Sequence, residues 1–386
     1  MNILVAPDSF KESLSAVDVC KAIKEGIDGS NPDANVWEQP LSDGGEGLTE
    51  VIVKATAGTM KQITVTGPLG EPVKAFWGLS GDGETAVIEM AAASGLMLVP
   101  PARRDPFVTT TYGTGELILA ALQHQVKKVI LGIGGSSTND AGMGMAKALG
   151  VKFVNQQGSE VPEGAKGLLE LAAIDSANLD PRIKKTQFAI VCDVTNPLSG
   201  PRGAAYVYAP QKGAAQDELP VLDKALKNFA TVVQRDLARD IDSIPGAGAA
   251  GGLGAGALLF LDGKLESGIE VVMRMVGFSE LLVQKKIDLV ITGEGQVNEQ
   301  SCFGKVVAGV AKIAVARQIP VVVIAGGIGP GADKLYKVGI TAITSIVNRP
   351  MTLTEAMENT YELLKEQAAT IMRLIEIGYN PRDNNI

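Results

Sequence analysis

Residues 3–27 read ILVAPDSFKESLSAVDVCKAIKEGI, and this stretch decides the fold class. The apolar run at 3–7 predicts a strand, and the helical spacing of apolar residues at about 16–27 predicts a helix after it. A second predicted strand at 35–39 and a second predicted helix at 48–57 follow. The chain therefore begins as β-α-β-α, which is the pattern of a parallel sheet.

The same alternation returns near the C-terminus. Strands are predicted at 287–292, 320–325 and 340–347, and helices at about 306–318 and 353–377. Five strand units with intervening helices indicate an α/β fold with a flavodoxin-like doubly wound parallel sheet.

The block between these two regions has a different pattern. Two predicted strands, 61–66 and 73–79, are separated by the turn-rich sequence GPLGEP, which favours a hairpin over a crossover. We therefore predict a flavodoxin-like domain of residues 1–60 plus 285–386, with a second, mixed α/β domain of residues 61–284 inserted into it. The alternative is a simple division of the chain near residue 190.

Composition limits the class of partner. The chain has 386 residues, a formal net charge of −8 and only 4% aromatic residues, which disfavours nucleic acid and anionic membranes as partners. No basic segment followed by a long apolar region marks a signal peptide. Three cysteines lie far apart without metal-type spacing, which fits a reducing compartment. We expect a cytoplasmic protein that binds a small molecule; whether it forms a homo-oligomer is left open.

The first two predicted strands end in loops rich in functional groups. Asp8, Ser9 and Lys11 follow the first strand, where open α/β sheets bind their ligands. Asp43 and Glu46 stand among glycines after the second strand and offer oxygen ligands for Mg²⁺ or a base for a hydroxyl. Turn and cap roles are the alternative for both loops, and at the first loop the two readings have equal weight.

A glycine-rich loop follows another apolar strand. Residues 132–144 read GIGGSSTNDAGMG, which offers consecutive backbone N–H groups and hydroxyls to a phosphate. The loop lacks the Gly-Lys-Ser/Thr of a Walker A motif and is not a clean dinucleotide fingerprint. Its density of hydroxyls and carboxylates favours a ligand-binding loop over a simple turn.

Two later strand ends repeat the pattern. Asp193 follows an apolar strand with Arg202 nearby, and Gly293 and Glu294 follow the strand at 288–292. Strand-end carboxylates thus occur four times beside glycine-rich loops, which indicates a metal–phosphate site. Lys305 could meet phosphate or could equally be a solvated charge at a helix start.

Histidine is nearly absent from the chain. The single one, His124, ends a predicted helix without catalytic neighbours in sequence, and we interpret it as a helix C-terminal residue. A Ser-His-Asp triad, a phosphohistidine and a His-rich zinc site are therefore disfavoured. Phosphoryl transfer is not, since it depends on positioning, metal and charge stabilisation.

Seven of these segments together resemble the bacterial glycerate kinase family of the first class. Its motifs APDSFKxSLSA, SDGGEG, TxYGTGELI, GxGGSxTND, CDVTNPLxG, PGAGAAGG and ITGEG occur in order at residues 6–16, 42–47, 110–118, 132–140, 192–200, 245–252 and 291–295. The resemblance implies ATP- and Mg²⁺-dependent phosphorylation of D-glycerate, giving 2-phosphoglycerate, by a flavodoxin-like domain paired with a second α/β domain. A non-catalytic sensor of a phosphorylated metabolite is the runner-up, and a nicotinamide-dependent oxidoreductase is third.

The residues and the resemblance together give a set of predicted roles. Catalysis is assigned to Asp43, Asp193 and Lys11, with the two aspartates also as Mg²⁺ ligands. ATP binding is assigned to Gly134, Gly135, Ser136, Ser137, Asp140, Gly293, Glu294 and Lys305. Substrate binding is assigned to Asp8, Ser9, Arg202 and Lys212; the sequence does not decide among Lys11, Arg202 and Lys212 for the substrate carboxylate.

The chain departs from the family pattern at one place. After Gly-Glu the family usually reads Gly-Arg-x-Asp-x-Gln, whereas this chain has Gln296 and Asn298 where the arginine and the aspartate are expected. This chain therefore lacks both of those charges.

Overall fold

The computed structural model describes residues 1–302 and 305–379 of the chain. The strands β1 to β13 are, in chain order, Asn2–Val5, Asn35–Glu38, Thr59–Thr66, Pro72–Leu79, Thr85–Glu89, Lys128–Gly132, Lys152–Val154, Ala173–Asp175, Gln187–Val191, Lys264–Glu266, Leu289–Val297, Val321–Ile328 and Ala342–Ser345. The helices α1 to α14 are Ala16–Ser30, Leu48–Ala55, Ala91–Ser94, Tyr112–Gln123, Met143–Ala148, Gly164–Glu170, Ala204–Tyr208, Leu219–Leu237, Leu253–Phe260, Gly268–Met275, Phe278–Gln284, Val306–Val315, Leu353–Glu358 and Thr360–Tyr379. No described helix has both the length and the apolar character needed to cross a membrane.

The chain divides into two compact units. The first consists of residues 1–43 and 269–386, and the second of residues 44–268. The sequence places the two boundaries later, after residues 60 and 284. In the structure α2 packs on β4 and β5 and so belongs with the second unit.

The first unit is built on a five-stranded parallel sheet in the order β2-β1-β11-β12-β13. Renumbered within the unit, this is the order 2-1-3-4-5 of flavodoxin-like sheets, so the predicted fold class is confirmed. Apolar residues of β1 and β11, such as Ile3 and Ile291, are buried against α1 and α14. The order reverses between β1 and β11, which is where ligands of such sheets bind.

Helix α1 fixes the loop that leaves β1. The Ser15 side chain caps the helix by accepting a hydrogen bond of 3.2 Å from the Asp18 N–H. Ser13 has a different role, because its hydroxyl donates to the Met357 carbonyl at 2.8 Å. The end of the loop next to α1 is therefore held by two serine side chains.

The second unit is built on a six-stranded mixed sheet in the order β10-β9-β6-β5-β4-β3. Strands β10, β9, β6 and β5 are parallel, whereas β3, β4 and β5 form antiparallel pairs. The predicted hairpin is thus present as β3 and β4. A separate two-stranded sheet, β7-β8, packs with α6 and α8 around a second apolar cluster that includes Phe153 and Phe229.

Candidate active site

In the first unit, Asp8 lies where β1 and β11 meet. Its N–H donates to the Gly293 carbonyl at 2.8 Å, and its Oδ1 accepts the Ser9 N–H at 2.7 Å. The residue is only 3% exposed. Burial, reinforced by the neighbouring Asp43 and Glu294 carboxylates, raises the pKa of Asp8 to about 7, against the opposing effects of Ser9 and Lys11. Asp8 is therefore a buried carboxyl that titrates near neutrality.

Glu294 lies on the neighbouring strand β11. Its Oε2 is 3.7 Å from Lys305 Nζ, while its buried Oε1 has no hydrogen-bond partner among the described residues. Burial raises the pKa of Glu294, while a hydrogen bond from the Ser301 hydroxyl and the Lys305 charge act in the opposite direction. An unpartnered buried oxygen is costly, so this carboxylate is poised for a donor or a cation.

Lys11 and Asp43 bring together the loops that follow β1 and β2. Lys11 Nζ is 3.8 Å from Asp43 Oδ2, and the Lys11 side chain is 62% exposed. Glu12 takes the left-handed region at φ 63° and closes a tight turn, in which the Leu14 N–H donates to the Phe10 carbonyl. This turn presents Lys11 to solvent beside a carboxylate.

Gly293 has a packing role in β11. A Cβ at this position would lie 2.1 Å from the Ile324 carbonyl oxygen of β12. Glycine is therefore required for the two strands to pair at the point where the chain reaches Glu294.

In the second unit, the glycine-rich loop follows β6 and exposes its first residues. Gly134 and Gly135 are exposed, and their N–H groups donate to no residue in the described part of the chain. Gly135 has φ +72°, a conformation that side chains rarely adopt. The loop thus presents backbone donors to solvent, as an anion-binding loop does.

Lys212 lies beneath this loop. It is 2% exposed, and its Nζ donates to Ser136 Oγ and to the Thr138 carbonyl, both at 2.7 Å. Burial lowers the pKa of Lys212 to about 7, and the Asp140 carboxylate opposes that shift. A buried cation therefore holds two residues of the loop.

Asp140 joins the glycine-rich loop to the start of α4. Its Oδ2 accepts the Thr111 hydroxyl at 2.7 Å, the Thr111 N–H at 2.8 Å and the Gly144 N–H at 3.2 Å. Burial raises the pKa of Asp140, whereas the Thr111 hydrogen bonds act to lower it. Within the described residues, the contacts of this carboxylate are internal to the fold.

Ser137 also has internal partners. Its hydroxyl donates to the Ser94 carbonyl at 2.9 Å, and its own carbonyl accepts the Thr109 hydroxyl at 2.8 Å. The sequence singled out the motif at 110–118 but assigned no role to Thr109, Thr111 or Ser94. Their contribution depends on tertiary contacts with the loop, which no local pattern displays.

Two further polar residues of the loop were missed by sequence reasoning. Asn139 is fully buried, and neither its Oδ1 nor its Nδ2 has a hydrogen-bond partner among the described residues. Thr138 Oγ1 is buried without a partner as well. Both residues were within the quoted motif, and the density of polar groups there was the signal that could have found them.

Residues of the motif at 245–252 pack against the backbone of the glycine-rich loop. Gly251 has φ +68°, and a Cβ on it would lie 1.9 Å from the Thr138 carbonyl oxygen. Its own carbonyl accepts the Ala141 N–H at 3.0 Å. Glycine at this position allows the two backbones to approach closely.

Asp193 and Arg202 lie apart from the loop contacts just described. Asp193 is exposed, and its Oδ1 accepts the N–H of Gly268 at 3.1 Å. Arg202 is exposed, and its carbonyl accepts the Asn196 side-chain amide at 2.8 Å.

The predicted site residues thus fall into two clusters and a remainder. The first-unit cluster contains Asp8, Ser9, Lys11, Asp43, Gly293, Glu294 and Lys305. The second-unit cluster contains Gly134, Gly135, Ser136, Ser137, Asp140 and Lys212. Asp193 and Arg202 belong to the second unit, where they contact Gly268 and Asn196.

A parallel sheet with carboxylates and lysines at its strand ends, and a second sheet with exposed loop donors over a buried lysine, define an α/β enzyme that handles small anionic molecules. A sequence model of the glycerate kinase family matches residues 3–376, and the chain belongs to that family. It is therefore a phosphotransferase, and the resemblance found from the seven motifs is confirmed.

Individual relatives match over nearly their whole length. A glycerate kinase of Halalkalibacterium halodurans is 48% identical over 369 residues, covering 96% of this chain and 97% of that protein. A glycerate 2-kinase of Escherichia coli K12 is 46% identical over 378 residues, covering 98% and 99%. A crystal structure of a chain from Salmonella typhimurium LT2 described as glycerate kinase 2 superposes with a TM-score of 0.88 at 45% identity, covering 98% of this chain and 99% of that one.

Proposed function

We propose that the protein transfers the γ-phosphoryl group of ATP to the 2-hydroxyl of D-glycerate, giving 2-phosphoglycerate and ADP. The relatives named glycerate kinase and glycerate 2-kinase, each aligned over almost the full chain, support this substrate. The observation that carries the proposal is the glycine-rich loop, whose exposed Gly134 and Gly135 N–H groups lie over a buried lysine. Such a loop suits phosphate oxygens.

We assign the phosphates of ATP to this loop. The free N–H donors of Gly134 and Gly135 and the hydroxyl of Ser136 fit anionic oxygens. Ser137 and Asp140 would not contact the phosphates, since their hydrogen bonds with Ser94 and Thr111 hold the loop in place. Gly293, Glu294 and Lys305 remain part of the proposed nucleotide set, with Lys305 supplying a positive charge.

Mg²⁺ is the second proposed component. Within the described residues no group of three or more histidine, cysteine, aspartate or glutamate side chains could hold a metal ion. Mg²⁺ bound with a nucleotide needs only one or two carboxylates, because phosphates and water complete its shell. The unpartnered buried Oε1 of Glu294 fits a hard cation in the first-unit cluster, where Asp43 is the proposed ligand. In the second unit, Asp193 is the proposed carboxylate ligand. When bound, the ion would neutralise charge on the transferring group.

The remaining proposed roles, which are orienting the substrate and stabilising charge, belong to side chains of the protein. One of Asp43 and Asp193 would orient the substrate hydroxyl and accept its proton, and Lys11 would stabilise negative charge on the phosphoryl group. Asp8 and Ser9 would position the substrate, with Arg202 as the proposed direct contact for its carboxylate. The buried Lys212 would contribute through the loop residues that it holds. We also propose that the enzyme acts in the cytoplasm, which the three free thiols support.

An ADP-release assay across a panel of small hydroxy acids tests the proposal. Purified protein is supplied with Mg²⁺ and ATP and with D-glycerate, L-glycerate, glycolate or D-lactate in turn. We expect the highest kcat/KM with D-glycerate. Binding of nucleotide without glycerate-dependent ADP release would contradict the proposal and favour a sensor.

A further inference from the structure

We infer that Ser136 is the donor by which the glycine-rich loop binds an anionic oxygen of its ligand, and that Lys212 acts on the ligand only through Ser136. The inference rests on the proposed function, because the ligand is taken to be the nucleotide phosphate or the substrate carboxylate. It assigns Lys212 as a positioning residue rather than as a direct substrate contact.

The Ser136 hydroxyl accepts one hydrogen bond and has its own hydrogen left to donate. Its Oγ accepts a hydrogen bond from Lys212 Nζ at 2.7 Å, so one lone pair of the oxygen is occupied. A serine hydroxyl also has one hydrogen to donate. That hydrogen has no acceptor in the described structure, although the residue is 93% buried, being 7% exposed. A buried donor without an acceptor is costly unless a ligand or water accepts from it.

The position of Lys212 carries the second step. Its ammonium is 2% exposed and uses two of its three hydrogens on Ser136 Oγ and the Thr138 carbonyl. The charged group that acts on the Lys212 ammonium is the Asp140 carboxylate. Gly213, the next residue in the chain, packs on the backbone of Arg104. Because the residue is 2% exposed, direct contact of the third hydrogen with a ligand would require the side chain to move, whereas a hydrogen bond donated by Ser136 needs no rearrangement.

The residues next to Ser136 in the loop offer further hydrogen-bond donors. Gly134 and Gly135, directly before it, are exposed and have free N–H groups. A donation by the Ser136 hydroxyl would add a third donor to these two, and the ammonium bond to its oxygen makes the hydroxyl a stronger donor. Next in sequence, the unpartnered side chains of Thr138 and Asn139 mark the same segment as incompletely satisfied. One anionic group bound at this loop would accept from the Gly134, Gly135 and Ser136 donors.

A double-mutant cycle tests the inference. Binding of ADP and, in a separate titration, of D-glycerate is measured by calorimetry for the wild type, Ser136→Ala, Lys212→Met and the double variant. Burial lowers the pKa of Lys212 to about 7. The titrations are therefore done at pH 6.5, below this pKa, where Lys212 is mostly charged. We expect Ser136→Ala to weaken one of the two ligands by about tenfold or more, as for a lost hydrogen bond to a charged group.

The coupling distinguishes a relay from two independent contacts. If Lys212 acts only through Ser136, Lys212→Met weakens the same ligand in the wild type, but adding Lys212→Met to Ser136→Ala changes the affinity by no more than about twofold. Ser136→Thr, which keeps the hydroxyl, should recover most of the affinity. The ligand whose affinity falls identifies the anion, phosphate or carboxylate.

Lys147→Met is the matched control. Lys147 is also a buried lysine, with its Nζ donating to the Val161 carbonyl at 2.6 Å and to Glu163 at 2.8 Å, away from Ser136. We expect its loss to cost stability but to leave both affinities within about twofold. If Lys212→Met does not fold, Lys212→Gln, whose amide can still donate to the Thr138 carbonyl, takes its place in the cycle. The pair Ser136→Ala and Ser136→Thr decides whether the Ser136 hydroxyl binds the ligand.

Three results would overturn the inference. Equal effects of Ser136→Ala with and without Lys212 would mean independent contacts, and unchanged affinities in Ser136→Ala would mean that the hydroxyl does not bind the ligand. A loss in Ser136→Ala that Ser136→Thr does not restore would assign the effect to loop geometry. Failure of the wild type to bind either ligand would overturn the proposed function itself, which keeps the two failures apart.

Discussion

At the scale of single residues, the chemistry of the chain rests on carboxylates and lysines placed at strand ends. Asp8 and Glu294 could be found as candidates from sequence, because each directly follows an apolar run. Their electrostatic state could not, since the raised pKa of Asp8 arises from burial and from carboxylates far away in the chain. The same holds for Lys212, whose partners Ser136 and Thr138 precede it by more than seventy residues.

The two proposed catalytic aspartates should each be required for turnover. We expect Asp43→Asn and Asp193→Asn to lower kcat by about a hundredfold or more, in line with general acid–base contributions of roughly 10²–10⁴. Asparagine keeps an Oδ1 that can accept the Gly268 N–H, so Asp193→Asn should fold. Steady-state kinetics with varied Mg²⁺ measure the effect, and the exposed Asp33→Asn serves as control. Near-normal turnover in both variants would remove these assignments.

His124 should be dispensable for turnover. It ends α4 and lies edge-on to the Trp77 ring, with ring centroids 5.2 Å apart, and the described structure gives it no acid–base partner. We expect His124→Gln to leave kcat within about twofold, with any effect confined to stability. A large loss of turnover in a variant with an unchanged melting temperature would show that the histidine takes part in catalysis.

The lowered pKa of Lys212 should make the stability of the protein depend on pH. Its pKa falls from 10.5 in the unfolded chain to about 7 in the fold, so folding disfavours its charged form. Above pH 10.5 the lysine is neutral in both states, so it does not affect the free energy of unfolding. As the pH falls from 10.5 to 7, only the unfolded chain takes up the proton, which stabilises the unfolded state. Lys212 therefore makes stability rise with pH between 7 and 10.5. We expect Lys212→Met to reduce the rise in free energy of unfolding between pH 7 and pH 9.

Urea unfolding at pH 7, 8 and 9 provides that measurement. Lys74→Met, at an exposed position of β4, is the control and should keep the wild-type slope. A slope of Lys212→Met equal to that of the wild type would mean that the ammonium is not desolvated as described.

At the scale of elements, the end of β11 carries the departure from the family pattern. Gln296 is exposed at the strand end, and Asn298 Oδ1 accepts the Gln300 N–H at 2.8 Å. A Cβ on Gly329 would lie 3.2 Å from Asn298 Cβ and 3.5 Å from Gln296 Nε2, so both side chains border the same glycine. An arginine and an aspartate at these positions would be close enough to pair.

We expect the charges to act as a pair. Asn298→Asp alone should lower stability or activity more than Gln296→Arg combined with Asn298→Asp, because the double variant couples opposite charges. Melting temperature and kcat of both single variants and the double variant measure the coupling. A rise in kcat by orders of magnitude in Gln296→Arg alone would instead give the arginine a direct role in phosphoryl transfer.

Sequence patterns were most informative about elements with strong periodicity. The strand and helix alternation in 1–60 and after 285 predicted the parallel sheet, because buried parallel strands are continuous apolar runs. The unit boundaries fall at 43 and 268 in the structure, because α2 packs on strands that follow it in the chain. Such a partner choice depends on long-range contacts that periodicity does not encode.

At the scale of the whole molecule, the protein is a phosphotransferase that acts on one hydroxyl of a small acid. Family membership supports the reaction class, while the loop donors and the strand-end carboxylates supply groups suited to its charges. The substrate and the position of phosphorylation are the claims that an experiment on the intact protein can decide together.

Proton-coupled phosphorus NMR of the product is that experiment. The protein is incubated with Mg²⁺, ATP and D-glycerate until ADP formation stops, and the spectrum is compared with a reaction lacking protein. The account predicts one phosphoglycerate per ADP, with the new phosphorus resonance split into a doublet by the single hydrogen on C2. A triplet, which the two hydrogens on C3 would give, or ADP formation without any phosphoglycerate would contradict it.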